Sequence, residues 1–428
     1  MRYEPIDPRL FSAHRQSLRE LLPPNSVAIV NSNDLLPTNA DGTFAFCQSA
    51  DLFYLTGIEQ EEAVLMMYPD AHEERYREVL FLREPDALRE TWEGHKLTKA
   101  EAKKISGIER VEWLSDFRSI LHRVMCESEH VYLNSNEHKR AAIVVETREA
   151  RFVRELRQDY PLHHYQRLAR LLHRLRAVKC DEEVALIRKA CMITEAGFRR
   201  AARFTKPGVN EMEIEAELAH EFIRRGGRFA YGPIIASGAN ACVLHYHEND
   251  QVCRKGQLVL MDVASSYANY NSDLTRTIPV SGRFSRRQRQ VYNSVLRVLR
   301  SASKAARPGK LVKDWQKEVE AAMEKELVEL GLLTPSEIRK QLADSPALKK
   351  YFMHGVGHPL GLDVHDVGFT IEPIQPGWVL TVEPGIYIKE EELAVRLENN
   401  IVVGQAGNED LMESIPIEPD DIEKLMKR

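Results

Sequence analysis

Gln257-Leu-Val-Leu-Met-Asp-Val-Ala264, followed by Asn271-Ser-Asp-Leu-Thr-Arg-Thr-Ile-Pro-Val280, decides how the C-terminal part of this chain is read. The first segment is apolar apart from Gln257 and Asp262, the pattern of a strand covered on both faces. An unpaired carboxylate in such a strand is costly, so Asp262 calls for a cation or a proton. Asp273 follows eleven residues later, an odd separation that in one continuous strand points the two side chains to opposite faces. An antiparallel hairpin removes that conflict. If its turn centres between Tyr267 and Ala268, Asp262 and Asp273 face each other directly and share a face.

The arrangement recurs further on. Glu383 ends Val379-Leu-Thr-Val-Glu383 and Glu398 ends Ala394-Val-Arg-Leu-Glu398, again at an odd separation that a hairpin converts into a shared face. Pro384 removes a ladder donor, so a strand end, edge or bulge is expected beside Glu383. Between the two pairs lies His354-Gly-Val-Gly-His-Pro-Leu-Gly-Leu-Asp-Val-His365, three histidines in twelve residues. Its glycines and proline argue against the helix that a His-x-x-x-His zinc pair needs, and the glycine offsets do not make a dinucleotide loop. Four carboxylates and one imidazole form an oxygen-rich set suited to manganese, cobalt, iron or zinc. Two divalent ions balance four carboxylates, and a pair roughly 3.5–4 Å apart can hold a bridging hydroxide and polarise a carbonyl, so hydrolysis is the expected reaction.

Working outward, 428 residues exceed one ordinary core, and two domains are expected. Short apolar strands (Val27-Ala-Ile-Val30, Ala63-Val-Leu-Met-Met67, Glu78-Val-Leu-Phe-Leu82, His130-Val-Tyr-Leu133) alternate with helical patterns through the first part, which predicts an α/β domain over 1–170. The remainder, 171–428, opens with helices, one of them beginning near Asp181, which can cap it. From about Tyr231 it turns strand-rich, with a helical insertion from about Phe284 to Ala347, an α+β pattern. A net charge of −5 with interspersed signs leaves no footprint for nucleic acid. Six scattered cysteines without a C-x-x-C pair, no signal-like N-terminus and no membrane-length apolar run point to a cytoplasmic protein with neither disulfides nor membrane contact.

At these residues the sequence resembles the aminopeptidase P and prolidase family. The likeness rests on Leu258-Val-Leu-Met-Asp262, Ser272-Asp-Leu-Thr-Arg-Thr277, the segment from His354 to Asp366, Leu380-Thr-Val-Glu-Pro-Gly385 and Val395-Arg-Leu-Glu398. It implies a creatinase-type N-terminal domain followed by a catalytic domain of the "pita-bread" fold. It further implies two metal ions held by Asp262, Asp273, His358, Glu383 and Glu398, with Asp273 and Glu398 bridging. Manganese is the expected metal, with cobalt, zinc or iron as alternatives. Glu383 is similar to the family's general acid/base. His245 and His365 are similar to the histidines that stabilise the tetrahedral intermediate, His354 to part of the proline pocket, and Arg396 to a supporting or substrate contact.

In the first domain, Gln48-Ser-Ala-Asp-Leu-Phe-Tyr-Leu-Thr-Gly57 resembles the short motif of the creatinase-type domain. Trp92, in Glu90-Thr-Trp-Glu-Gly94, resembles an aromatic residue that reaches a neighbouring subunit's site, which implies a homodimer or homotetramer. The implied activity is that of an Xaa-Pro aminopeptidase acting on peptides with proline in second position. The rivals are a prolidase restricted to Xaa-Pro dipeptides and a catalytically silent binding protein on the same fold. Three departures stand out: Cys47 where relatives commonly carry arginine, an altered tip at Ala268-Asn-Tyr-Asn271, and a short segment from Lys389 to Ala394.

Overall fold

The computed structural model describes residues 2–141, 144–342, 345–368 and 370–427, with the side chain of Arg89 left aside. Contacts divide the chain into two compact units, Tyr3–Arg176 and a second that begins at Ala177. Among the described residues no helix is long and apolar enough to cross a membrane.

The first unit is built on six strands: β1 (Ser26–Asn31), β2 (Val64–Met67), β3 (Glu78–Leu82), β4 (Val111–Trp113), β5 (His130–Leu133) and β6 (His164–Arg167). Their order is β4-β3-β2-β1-β5-β6. Strand β2 runs antiparallel to both of its neighbours, and the pairs β1/β5, β5/β6 and β3/β4 are parallel. Every residue of β1 is buried, as expected of an inner strand covered on both faces. Phe117, Leu121 and Val124 of the helix Leu114–Glu127 and Phe152 and Leu156 of the helix Arg148–Asp159 pack with Val27, Ile29, Met66 and Phe81 in one core.

The Gln48–Gly57 motif has a physical account within this unit. Ser49 caps the helix Ala50–Thr56, and the Gln48 amide donates to the carbonyls of Ile58 and Gln60. Asp51 accepts from Arg176 at 2.6 Å and from Asn134 at 2.8 Å. Gly57 ends the helix at φ 68°, with Phe11 so close that a Cβ would lie 2.3 Å from its ring. Only glycine meets both demands.

The second unit opens with the helices Asp181–Phe204 and Glu211–Arg224. Asp181 is the first helical residue and Cys180 holds the cap position. The Cys180 N–H is taken by Glu183 three residues on, so the sequence expectation of an Asp181 cap gives way to an acid in the first turn. Three short sheets and a two-stranded ribbon follow. They are built from β7 (Arg228–Phe229), β8 (Ile234–Ser237), β9 (Leu258–Asp262), β10 (Ser265–Tyr267), β11 (Tyr270–Asn271), β12 (Thr275–Pro279), β13 (Val379–Val382), β14 (Gly385–Ile388), β15 (Leu393–Arg396), β16 (Asn399–Val402) and β17 (Glu409–Asp410). Their orders are β11-β10-β7, β12-β9-β8, β13-β16-β17 and β14-β15. The helical insertion supplies Arg286–Ala305 and Val312–Glu329. Val295 and Leu299 of the first and Trp315, Val319 and Met323 of the second join a core with Leu380, Val382, Val395 and Leu397. The buried Trp315 indole donates to the Ala302 carbonyl at 2.9 Å, so its one polar atom is satisfied. The chain thus combines an α/β unit with an α+β unit.

Candidate active site

Two antiparallel hairpins deliver the acids. In the first, Ser266 pairs with Asn271 and Tyr267 with Tyr270, so Ala268 and Asn269 form a two-residue turn. Both carry positive φ, 50° and 64°, the combination that matches the twist of the flanking strands. The turn centre therefore lies one residue later than the sequence reading put it. Asp262 faces Thr275 instead of Asp273. Asp273 sits two residues nearer the turn, which preserves the shared face because side chains alternate with period two.

Tyr231 closes the gap. Its hydroxyl lies 2.5 Å from Asp262 Oδ1 and 2.6 Å from Asp273 Oδ1, and donates its single proton to one of them at a time. Asn400 fixes the Asp273 backbone from both sides: its side-chain oxygen accepts the Asp273 N–H at 3.0 Å, and its amide donates to the Asp273 carbonyl at 2.7 Å.

In the second hairpin Val382 faces Asn399 and Gly385 faces Arg396, which sets Glu383 opposite Glu398. The ladder breaks at Glu383 and Pro384, where β13 ends and β14 has not begun, as the missing proline donor requires. Thr275 ties the two hairpins together: its carbonyl accepts the Glu398 N–H at 3.0 Å, and its hydroxyl donates to Glu398 Oε2 at 2.7 Å. Arg396 adds a second tie, donating to Asp262 at 2.6 Å, to Tyr387 at 2.8 Å and to Thr275 at 3.0 Å.

The glycine-rich segment brings His358 in between. Its Nε2 lies 3.5 Å from Asp273 and 3.6 Å from Glu383. Its backbone N–H is taken by the Thr381 hydroxyl at 2.9 Å and its carbonyl by the Thr381 N–H, also at 2.9 Å. Gly357 passes so close to Thr381 that a Cβ would meet that residue's carbonyl oxygen at 2.0 Å. Donor atoms of Asp273, His358 and Glu398 fall within 4.8 Å of one another, a spacing one ion can span.

The outer residues are placed as follows. The His365 ring stands edge-on to His358, centroids 4.3 Å apart. His354 bonds the Tyr387 hydroxyl through Nε2 at 2.8 Å, and its Nδ1 is 3.8 Å from Glu383. His245 is exposed beside His247 and near enough to His354 to disfavour protonation there. Trp92 belongs to the other unit, on the helix Ala87–Glu93, and 84% of it is exposed. Tyr231, Thr275, Tyr387, Thr381 and Asn400 are partners that sequence reasoning missed. Thr275 lies inside a segment already singled out. Tyr231 arrives from outside both hairpins, and no spacing rule points to it.

The electrostatics show what the cluster calls for. Burial pushes Glu383 up to about 7, outweighing the opposite pull of His358. Burial and repulsion from Asp273 and Glu383 carry Glu398 well above the usual carboxylate range. Asp262 is also raised by burial despite Arg396. His358 is raised because Asp273 and Glu383 overcome the opposing effect of burial. Burial and Arg396 push His354 down to about 3, so it is neutral at ordinary pH. Buried acids that repel one another are the setting a divalent cation relieves, and this oxygen-rich set with one imidazole fits such an ion.

Comparison with known proteins agrees with this geometry. The model of metallopeptidase family M24 matches residues 185–405, and that of the aminopeptidase P N-terminal domain matches residues 11–132. The chain is 35% identical to the Xaa-Pro aminopeptidase of Escherichia coli, over 97% of each chain. It is 34% identical to the Xaa-Pro aminopeptidase of Haemophilus influenzae, over 97% of this chain and 96% of that one. Among solved structures it is similar to zinc-substituted Escherichia coli aminopeptidase P in complex with product, with a TM-score of 0.87, 34% identity and 99% of both chains covered.

Proposed function

The chain belongs to metallopeptidase family M24 and carries the aminopeptidase P N-terminal domain, and from that premise we propose that it is an Xaa-Pro aminopeptidase, releasing the first residue of peptides whose second residue is proline. As a metallopeptidase it is a hydrolase that works with divalent metal. The observation that carries the reading is the meeting of four carboxylates and one imidazole at one point of the second unit.

Asp262, Asp273, His358, Glu383 and Glu398 would hold two ions, manganese first among the metals to try, with Asp273 and Glu398 shared. When bound, the ions supply Lewis acidity and a water acidic enough to attack near neutral pH. The other steps fall to the chain's own side chains. The leaving nitrogen of an Xaa-Pro bond has no hydrogen, so a positioned proton carrier is needed, and Glu383 is the acid that serves. His245 and His365 donate to the substrate carbonyl oxygen as charge develops on it. His354, neutral and held by Tyr387, lines the proline side, and Arg396 keeps Asp262 and Tyr387 in place. Trp92, left exposed, is suited to reach the site of a second copy in a homodimer or homotetramer, and a cytoplasmic setting belongs to the same reading.

The test is an assay of the metal-loaded protein on Ala-Pro-Leu, Ala-Ala-Leu and Ala-Pro, with metal analysis alongside. Alanine release from Ala-Pro-Leu but not from Ala-Ala-Leu is expected, with two ions per chain. Cleavage of Ala-Pro alone would make the protein a prolidase and overturn the proposal.

A further inference from the structure

The helix Val312–Glu329 starts beside His354, and its first turns help to wall a cavity of about 600 Å³. That volume lies within the range of sites that bury small ligands. Leu311, Val312, Met353 and Ile371 give it apolar walls, and Ile371 is left 75% exposed. Two amines stand in the lining. Lys349 is already held by Glu320 at 2.7 Å, the one acid on that wall among the described residues. Lys313 is exposed and makes no ion pair among the described residues. It also stands in the first turn of its helix, where the backbone dipole adds positive potential.

His354 is the partition between this cavity and the catalytic acids, since it lines the one and approaches Glu383 of the other at 3.8 Å. A peptide whose proline rests against His354 continues past it at about 3.3 Å per residue, so its third and fourth residues arrive roughly 3 and 7 Å further on. Resting on the Xaa-Pro aminopeptidase reading, we propose that this cavity takes the residues after the proline, an apolar side chain and then a carboxylate, and that Lys313 sets the preference for the carboxylate. A lysine with no ion pair among the described residues attracts an acid and repels a base, so the selectivity is electrostatic and falls as salt rises.

The experiment compares two C-terminally amidated tetrapeptides, Ala-Pro-Leu-Glu and Ala-Pro-Leu-Lys, which share the scissile bond and differ only at the fourth residue. The wild-type protein is expected to show a KM about threefold lower for the glutamate peptide, with similar kcat for both, and the difference should shrink in 0.5 M salt. Lys313→Glu should invert the ratio, a change of about tenfold between the two proteins, and Lys313→Arg should keep it. Equal KM values in the wild type, a ratio that Lys313→Glu does not move, or one that Lys313→Arg also abolishes would overturn the subsite and leave the peptidase standing. Failure to release alanine from either tetrapeptide and from Ala-Pro-Leu would overturn the peptidase reading, and the subsite with it.

Discussion

In the hairpin of β9 and β12 the two acids are staggered, Asp262 facing Thr275 and Asp273 lying two residues nearer the turn, whereas in the hairpin of β13 and β16 Glu383 stands opposite Glu398. Both arrangements put their acids on one face because face depends on parity, and a two-residue stagger keeps parity where a one-residue slip reverses it. The stagger has a consequence. The first pair needs the Tyr231 hydroxyl between its carboxylates, while the second pair is set by strand pairing on either side and tied to the first by Thr275 and Arg396. One hairpin depends on an outside clamp, and each supplies one of the ties, Thr275 from the first and Arg396 from the second.

If both hairpins serve one metal pair, Asp273→Ala and Glu398→Ala should be equally severe. Each removes an acid assigned to both ions, so each should lower bound metal and cut kcat/KM by more than about a hundredfold, beyond the roughly 10- to 100-fold typical of residues that only support a ligand. Metal analysis beside turnover checks this. A normal rate at full metal content in either variant breaks the equivalence. His365→Ala lies outside both hairpins and should cost about a hundredfold in kcat while the metal stays, as expected of a group that meets developing charge. Metal loss there would place His365 among the ligands. Tyr231→Phe isolates the clamp. It should weaken metal binding by about tenfold, read by titration with a competing chelator, and unchanged affinity would show that the stagger needs no clamp.

The fold was legible where burial patterns are strong. The apolar runs at Val27 and His130 become β1 and β5, and the charged periodic stretch after Cys180 becomes one long helix. The convergence of the acids was legible because odd separations with a hairpin between them leave few alternatives. The first register was not, since the turn centre depends on which residues accept positive φ. Ala268 is not a residue that advertises this, although Asn269 beside it does. Tyr231 and Asn400 were hidden for another reason: their roles come from tertiary approach between elements with no fixed sequence interval. The Gln48–Gly57 motif was legible only as a likeness, and its meaning, a capped helix with a buried acid, emerges from contacts with Arg176 and Asn134.

The two hairpins also turn differently, and the smallest expected effect probes that difference. The first turns on Ala268 and Asn269, the second through Glu392 at φ 49°. Asparagine tolerates the left-handed region, but alanine and glutamate pay about 1–2 kcal/mol for it. Ala268→Gly and Glu392→Gly relieve that strain and give back part of it as the chain entropy glycine loses on folding. Each should therefore raise stability by about 0.5–1 kcal/mol, read as a higher urea midpoint at constant slope. Neither residue carries an acid of the cluster, so the strands on either side keep their registers. A midpoint that rises for Glu392→Gly but not for Ala268→Gly would mean that the tight turn of the first hairpin is held by Asn269 alone, and that its register is set there.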